Sequence, residues 1–561
     1  MAEYWNLDRL ASEWEARGLD RRELIRLVAG GAGMSAMMAL LGAHPRGVAA
    51  QDAEGGGQVN VLWRKPITFN PLFSTSGNEQ QVERLLFGAL VKMSDVLEPT
   101  PDLAAEVQVS DDATVYTFIL HQTITFTDGQ PLTAADVVFT IERAVDKRTG
   151  SYWRGRLLGI EGAEAYGEGQ ADSISGLATP DDYTVQITLA QPDSAFLVNL
   201  CNFSGLGILP QHVWGEVAPD QMQEHTLSQE PTVTAGAFTF VRHEVDQFLE
   251  IGRNPNYFGD PPPLERIFLP ILTSDVALAQ LETGEIDLMT LPISEAERAR
   301  GIEGAVVASV PSPSMDFLAF NMERPYLQNK QMRQSMLHAI DREGIVAQVY
   351  QGEGQVVNAP IFGPDWMGIP EGLNAYEYDP ERARQLLDDS GFDKSQVIQL
   401  GYQPGVVKER DAASAIIQEQ LRQVGFNYEI LQVDVAEQNR RYIDETDFDM
   451  FYIGGGVFRA DPSVSATYFL TRNFTPAGGN ASHYSNPEID DLYARGQAVA
   501  DSEERKAIYT EIAQILNDDL PWLFLWSPNS LYGVSARFQG FAPPSYSDNK
   551  FWNAETWSVS N

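Results

Sequence analysis

The sequence predicts an α/β fold with two lobes facing one another across a cleft, and three observations carry that prediction. At 561 residues the chain is too long for one ordinary domain. From Val397 to Ile453 it alternates strand, helix, strand, helix and strand at the spacing of a parallel, right-handed unit. A sparser alternation runs through Ile267–Ile271, a helix carrying Leu278 and Leu281 that ends at Gly284, and Ile286–Met289. Two such lobes in one chain imply a cleft between them.

The elements follow in order. Val59–Trp63 is a short apolar strand, and Val82, Leu85, Leu86 and Leu90 form a helical stripe after it. Thr114–Leu120 has the two-residue alternation of a strand, and Asp128-Gly129 marks a turn. Thr133 with Asp136 has the form of a capping box opening a helix that carries Val137, Val138 and Ile141. Val185, Ile187 and Leu189 make a further strand. In the most informative stretch, Val397–Tyr402 is a strand, and Ala413, Ile416, Ile417, Leu421 and Val424 share one helical face closed by Gly425 as a left-handed cap. Tyr428–Val433 is the next strand, a shorter helix runs to Ile443, and Phe448–Ile453 is the third strand.

Hydrophobic residues make up 43% of the chain and aromatics 10%, enough for large cores. The formal charge of −39 argues against nucleic acid and against an anionic membrane surface, since either polyanion would be repelled. It serves solubility, and attraction of cationic solutes stays open beside that reading. Cys201 is the single cysteine, so no internal disulfide, cysteine-rich zinc site or iron–sulfur cluster is available, and no cofactor is expected.

The head reads as an export signal. Asp20-Arg21-Arg22-Glu23-Leu24-Ile25-Arg26 precedes an uncharged stretch from Leu27 to Ala43, then the small residues Val48, Ala49 and Ala50. Arg21-Arg22 with Leu24 and Ile25 resembles the twin-arginine export motif, so residues 1–50 are expected to be a cleaved signal and the twin-arginine translocase a partner during export. An uncut membrane anchor is the alternative. No cysteine follows the apolar run, so a lipid anchor through cysteine is not expected. Residues 51–58 read as a flexible leader.

Catalytic signatures are absent: there is no His-Glu-x-x-His, Gly-x-Ser-x-Gly, phosphate-binding loop or calcium loop. Cys201 with His212 could be drawn as nucleophile and base, but a buried small hydrophobe is the simpler reading of Cys201. Carboxylate pairs such as Asp388-Asp389 and Asp518-Asp519 sit at or near helix ends as solvated charge.

Several ordered segments carry a family resemblance. Phe69-Asn70-Pro71-Leu72 leads into Leu86-Phe87-Gly88-Ala89-Leu90-Val91, and Pro101-Asp102-Leu103-Ala104 precedes Tyr116–Leu120. Then come Phe126-Thr127-Asp128-Gly129 running on to Val137, Arg253-Asn254-Pro255-Asn256-Tyr257-Phe258, and Leu281-Glu282-Thr283-Gly284-Glu285-Ile286-Asp287. Met332-Arg333-Gln334-Ser335, His338–Arg342, Asp379-Pro380-Glu381-Arg382 and Tyr484-Ser485-Asn486-Pro487 complete the order. From Val59 to about Trp557 the chain resembles the dipeptide/oligopeptide-binding branch of the solute receptors of ABC importers. Thr234-Ala235-Gly236-Ala237-Phe238 departs from that family's usual Gly-x-Gly-Pro-Tyr.

The resemblance implies a periplasmic-binding-protein-like fold with hinge and cleft and an extra domain inserted in the N-terminal lobe. Lobe I is expected at 59–90, 206–310 and 529–561, the inserted domain at 91–205 and lobe III at 311–528. It further implies an exported, non-enzymatic, monomeric receptor that closes on a peptide and delivers it to an ABC permease. An oligosaccharide, amine or chelated metal as ligand, a secreted hydrolase and a sensing subunit are the alternatives.

Ligands of α/β lobes sit beyond the carboxyl ends of the strands, which here points to Gly454–Pro462. Phe458, Arg459 and Asp461 follow three glycines there, and in the resembled family an aspartate of this loop pairs with the ligand's α-amino group. The alternative for Asp461 is a turn aspartate before Pro462. On the opposite lobe Ser74, Thr75, Ser76 and Asn78 precede a helix whose free N–H groups suit polar or anionic groups, or form a plain cap. Phe203, Trp366 and Asn480 lie in loops expected to reach the cleft.

Overall fold

The computed structural model describes residues 57–66, 68–94, 97–201, 205–361, 366–405, 407–455, 461–499, 501–544 and 549–560. The expected signal, and all of the leader but its last two residues, lie outside them. Strands and the longer helices are numbered in chain order. Strand β1 (Gln58–Asn60) leads through a loop into helix α1 (Gly77–Leu86), and β2 (Val91–Met93) pairs with β3 (Pro99–Pro101).

Residues 104–188 build a sheet of their own. β4 (Ala104–Val109), β5 (Val115–Leu120), β6 (Leu177–Asp181) and β7 (Thr184–Thr188) are antiparallel in the order β4-β5-β7-β6. Between them α2 (Ala134–Val145) opens on the capping box expected at Thr133, whose backbone N–H donates to the Asp136 carboxylate at 2.9 Å. The chain then returns to β1: β8 (Phe238–Glu244), β9 (Phe248–Arg253) and β10 (Arg266–Pro270) form the sheet β1-β10-β9-β8. β1 and β10 are parallel, whereas β8 and β9 form a hairpin turning at Asp246. Helix α3 (Ser274–Thr283) ends on Gly284 with φ of 78°, as expected, and β11 (Leu288–Leu291) then pairs antiparallel with a strand near the C-terminus while meeting the extension of β1 through a parallel bridge between Val61 and Leu288. Since β10 and β11 both lie parallel to β1, the sparse alternation forms a parallel strand–helix–strand run. β12 (Ala305–Pro311) pairs with that same strand.

The second body is built on β13 (Met315–Phe320), buried at every position, with α4 (Lys330–Ala339), β14 (Gly354–Val356) and α5 (Pro380–Asp389) around it. Next come β15 (Val397–Tyr402), α6 (Lys408–Val424), β16 (Asn427–Gln432) and β17 (Met450–Gly455). β15 is parallel to both β16 and β17, which makes the parallel unit read from the sequence. Gly425 caps α6 at φ of 117°, a value that favours glycine. Helices α7 (Pro487–Ala498) and α8 (Ser502–Asp519) precede β18 (Trp522–Ser535), and β19 (Phe538–Gln539) and β20 (Ser558–Val559) close the chain.

Residues of the family-like segments hold this frame. Arg333 donates to the carbonyls of Leu327, Asp519 and Leu520, Asp341 caps the following helix through Gly344 N at 2.9 Å, and Asp379 caps α5 with Pro380 in its first turn. Two hydrophobic cores result. One gathers residues from 59 to 269 with Phe538, Phe551, Ala554 and Trp557; the other gathers residues from 277 to 531. They meet along β18, which gives Trp522–Trp526 and Leu531 to one and Tyr532 to the other, so the boundary expected at 528/529 falls inside a continuous strand.

Candidate ligand-binding cleft

β15, β16 and β17 all run out on the same edge of their sheet, where an open α/β sheet takes its ligands. Phe458 and Arg459 of the loop after β17, and Phe203, lie outside the described residues. Asp461 is described, and its carboxylate is occupied. Oδ1 accepts from Ser463 N at 2.8 Å and caps a short helical turn begun by Pro462. Arg505, on α8, donates from Nη2 to both oxygens, at 2.9 and 3.1 Å. The Arg505 guanidinium packs over Trp366 (5.0 Å) and Tyr509 (5.4 Å), and its Nε donates to Gly496 O. Ser463 N and Arg505 thus take three of the acceptor positions of this carboxylate.

The wall opposite this pair comes from the first core. Tyr116 Oη donates to the carbonyl of Asp193 at 2.6 Å and its ring packs on Phe196, which fixes the loop tip at 193–195. The backbone N–H and Oγ of Ser194 both donate to Gln497 O at 3.1 Å, a direct bond between the two bodies. Burial, reinforced by the neighbouring Asp461 carboxylate, holds the Asp193 carboxyl above its usual range.

The Ser74–Asn78 loop divides by role. Ser74 is fully buried and bonds Glu83 and Asn70 O, while Thr75 and Ser76 are exposed. Ser76 occupies the cap position of α1 without a side-chain capping bond. Asn78 donates to Arg64 O at 3.0 Å and accepts at its carbonyl from Trp63 Nε1. Trp366 is half-buried against the second core. Asn480 is fully buried, its Nδ2 bridging the carbonyls of Leu470 and Tyr484, which ties the loop before α7 together. The residues the fold brings together on the carboxyl edge are thus Trp366, Asp461 and, unanticipated, Arg505 and Asp193.

A second buried carboxylate lies beneath the same edge. Asp316, at the start of β13, accepts from Tyr350 Oη (2.9 Å), Tyr452 Oη (3.1 Å), Trp526 Nε1 (3.2 Å) and Arg410. Sequence reasoning missed it, since nothing in an apolar strand signals a satisfied internal charge.

Cys201 and His212 are not assembled as nucleophile and base. Cys201 is buried and its thiol is pushed up by burial, and His212 pairs instead with Asp128 at 2.7 Å. Among the described residues no group of His, Cys, Asp and Glu is placed to hold a metal ion, and no helix is long and apolar enough to cross a membrane.

Residues 98–476 match the family described as bacterial extracellular solute-binding proteins, family 5. The chain belongs to this family. It is a non-enzymatic solute-binding protein with the two-lobed fold. A Brucella melitensis protein assigned as an ABC transporter peptide-binding protein is 29% identical to this family-5 protein over 507 residues, covering 88% of this chain and 91% of its own. The ABC transporter substrate-binding protein CtaP of Listeria monocytogenes has the same fold, with a TM-score of 0.80, 23% identity and coverage of 91% and 100% of the two chains. The oligopeptide-binding protein AppA of Bacillus subtilis, solved with a nonapeptide, superposes with a TM-score of 0.75 at 23% identity, covering 91% of this chain and all of its own.

Proposed function

We propose that this family-5 protein is the extracytoplasmic receptor of an ABC importer: it takes a peptide or a related small solute between its two cores, closes on it, and delivers it to a membrane permease. The observation that carries this reading is the Ser194–Gln497 junction, where the tip of one body bonds the other beside the carboxyl ends of the parallel strands. Ligand contacts to both walls would favour the closed form, which the importer reads. The name of the Brucella relative and the nonapeptide held by AppA support a peptide as the solute.

Thr75, Ser76 and Asn78 face the ligand from one body in this reading and Trp366 from the other, with Phe203, Phe458 and Arg459 assigned beside them on the sequence. Ser74, Asp461 and Asn480 would shape those loops from within. Lobe I comprises 59–90, 206–310 and 529–561, the inserted domain 91–205 and lobe III 311–528, with β18 crossing the last boundary. Residues 1–50 serve as a cleaved twin-arginine signal, and the mature receptor acts as a monomer on the outer side of the cytoplasmic membrane.

Native mass spectrometry of the protein purified from its own periplasmic or secreted fraction tests this. An intact peptide released on denaturation is the expected result. An oligosaccharide, an amine or a chelated metal in its place would replace the peptide reading, and cleaved product would overturn the receptor reading.

A further inference from the structure

We propose that Glu353 is a clasp on the back of the receptor, a carboxylate of lobe III that holds three side chains of lobe I and so biases the ligand-free protein toward its closed arrangement; this rests on the receptor reading and the lobe boundaries above. Those boundaries meet in one place. β12 and β18 are antiparallel with Pro311 paired to Asn529, so the chain crosses between the lobes twice on adjacent strands. Beyond that pair the ladder is interrupted. Residues 312–314 separate β12 from β13, and β13 takes up the pairing with β18 at Asp316 and Trp526 with a register shift beside it. A rotation of one lobe against the other meets little backbone resistance at such a crossing.

The sequence brings Glu353 to this crossing through a tight turn. Gln351 and Gly352 have φ of 54° and 78°, and they carry the chain from the helix Arg342–Gln348 into β14. A Cβ at Gly354 would lie 3.0 Å from Ser527 O and 3.2 Å from Pro528 Cα, so glycine there lets the turn lie against β18. Glu353 O then accepts from Asn529 N at 3.1 Å.

The carboxylate has all of its side-chain partners, among the described residues, on the far side of the boundary. Oε1 accepts from Arg300 Nη2, and Oε2 accepts from Ser309 Oγ at 2.6 Å and Asn529 Nδ2 at 3.1 Å. Asn529 Nδ2 also donates to Ser309 Oγ at 3.0 Å, which closes the triangle. Burial acts to raise this carboxyl, yet the bonds from Ser309, Asn529 and Arg300 hold it below its usual range, so it is ionised. Ser309 and Asn529 stand on the crossing strands themselves. Arg300 ends the short helix Ala296–Arg300 and reaches in from outside them, with Glu297 on its Nη1 at 2.7 Å. Rotation about the crossing therefore stretches the Arg300–Glu353 pair more than the other two bonds. The clasp is complete in the same structure in which Ser194 bonds Gln497 across the cleft, which assigns it to the closed arrangement. A charge-assisted bond favours whichever arrangement preserves it.

Small-angle X-ray scattering of the ligand-free protein reads the arrangement. In Glu353→Gln the radius of gyration is expected to exceed the wild type's by roughly 1 Å, about one-twentieth of that of a compact chain of this length. Should that variant fail to fold, Arg300→Met removes only the outer, more exposed partner and is expected to shift the radius in the same direction. Lys394→Met breaks the Lys394–Asp388 pair inside lobe III and should leave the radius at the wild-type value. Calorimetry with trialanine gives a second readout. Glu353→Gln should bind it about three- to tenfold more weakly, while the saturated forms scatter alike, because the ligand restores closure. An unchanged or smaller radius in the clasp variants, a lower melting temperature with no change in radius, or trialanine binding as tight as the wild type's would each overturn the clasp. Failure of trialanine to bind any form would count against the peptide reading alone, since the ligand-free scattering tests the clasp without it.

Discussion

Arg505 covers both carboxylate oxygens of Asp461, and the two side chains are 8% and 3% exposed. A buried pair of this kind adds little net stability over apolar residues, yet breaking it is expensive, because the survivor is a charge without water or partner. It fixes the loop following β17 against helix α8, and so fixes one wall of the cleft.

Asp461→Ala should therefore destabilise the protein by about 3–5 kcal/mol, and Arg505→Met by a similar amount. The double variant Asp461→Leu/Arg505→Met should recover most of that loss. Urea denaturation checks this; additive losses in the double variant would show that the pair is not a coupled unit.

Lys550 is buried, with Nζ donating to Leu62 O at 2.9 Å, and burial lowers its pKa to about 7, helped by the nearby Arg64 charge. Because the folded value lies below the unfolded one, the stability tied to neutral Lys550 is complete above about pH 10.5 and is lost as pH falls through 7. Lys550→Met should raise the melting temperature more at pH 6 than at pH 9, by a difference worth a few kcal/mol at most. Scanning calorimetry at the two pH values decides it.

Glu83 behaves with the opposite sign. Burial raises its carboxyl to about 8, with the hydrogen bond from Ser74 working against that rise and the neighbouring Glu79 adding to it. The stability tied to its protonated form is complete below about pH 4.5 and is lost as pH rises through 8. Glu83→Gln should flatten that decline, and be stabilising relative to wild type at pH 9 but not at pH 5. Denaturation midpoints across this range measure it.

Ser194→Ala removes one of the two hydrogen bonds to Gln497 O and leaves the backbone bond in place. At about 0.5–1.5 kcal/mol for the lost bond, ligand dissociation should speed up roughly two- to tenfold with little change in association. Stopped-flow displacement of the co-purified ligand reads the two rates apart.

Much of this architecture was written in local patterns. The apolar face of Ala413, Ile417, Leu421 and Val424, the glycine after it and the cap at Thr133 depend on neighbours a few residues away, and each formed where expected. Strand direction was less legible: β9 and β11 show the same periodicity whichever way their partners run, and the antiparallel partner of β11 lies some 240 residues later, on β18. The carboxyl edge of β15 and β17 could be named from the topology alone. Its electrostatics could not, because Arg410 and Arg505 sit on helices where an arginine ordinarily reads as solvated charge, and Asp316 interrupts an otherwise apolar strand. For Asp461, the turn before Pro462 was the local signal, and a helix cap is what that spacing produced.

The joining of both ends of the chain in one core has a consequence for biosynthesis. Val59, Val61 and Trp63 share a core with Phe538, Phe551 and Trp557, the last packed against Phe538, Phe541 and Phe551. At about 5–20 residues per second, the ribosome finishes that core roughly 25–100 s after its first strand emerges. During that interval the nascent N-terminal half holds exposed apolar surface that nothing in the chain can yet cover. Chaperones that shield nascent chains, and a translation schedule without long pauses in the second half, should therefore govern how much of this protein reaches its native state.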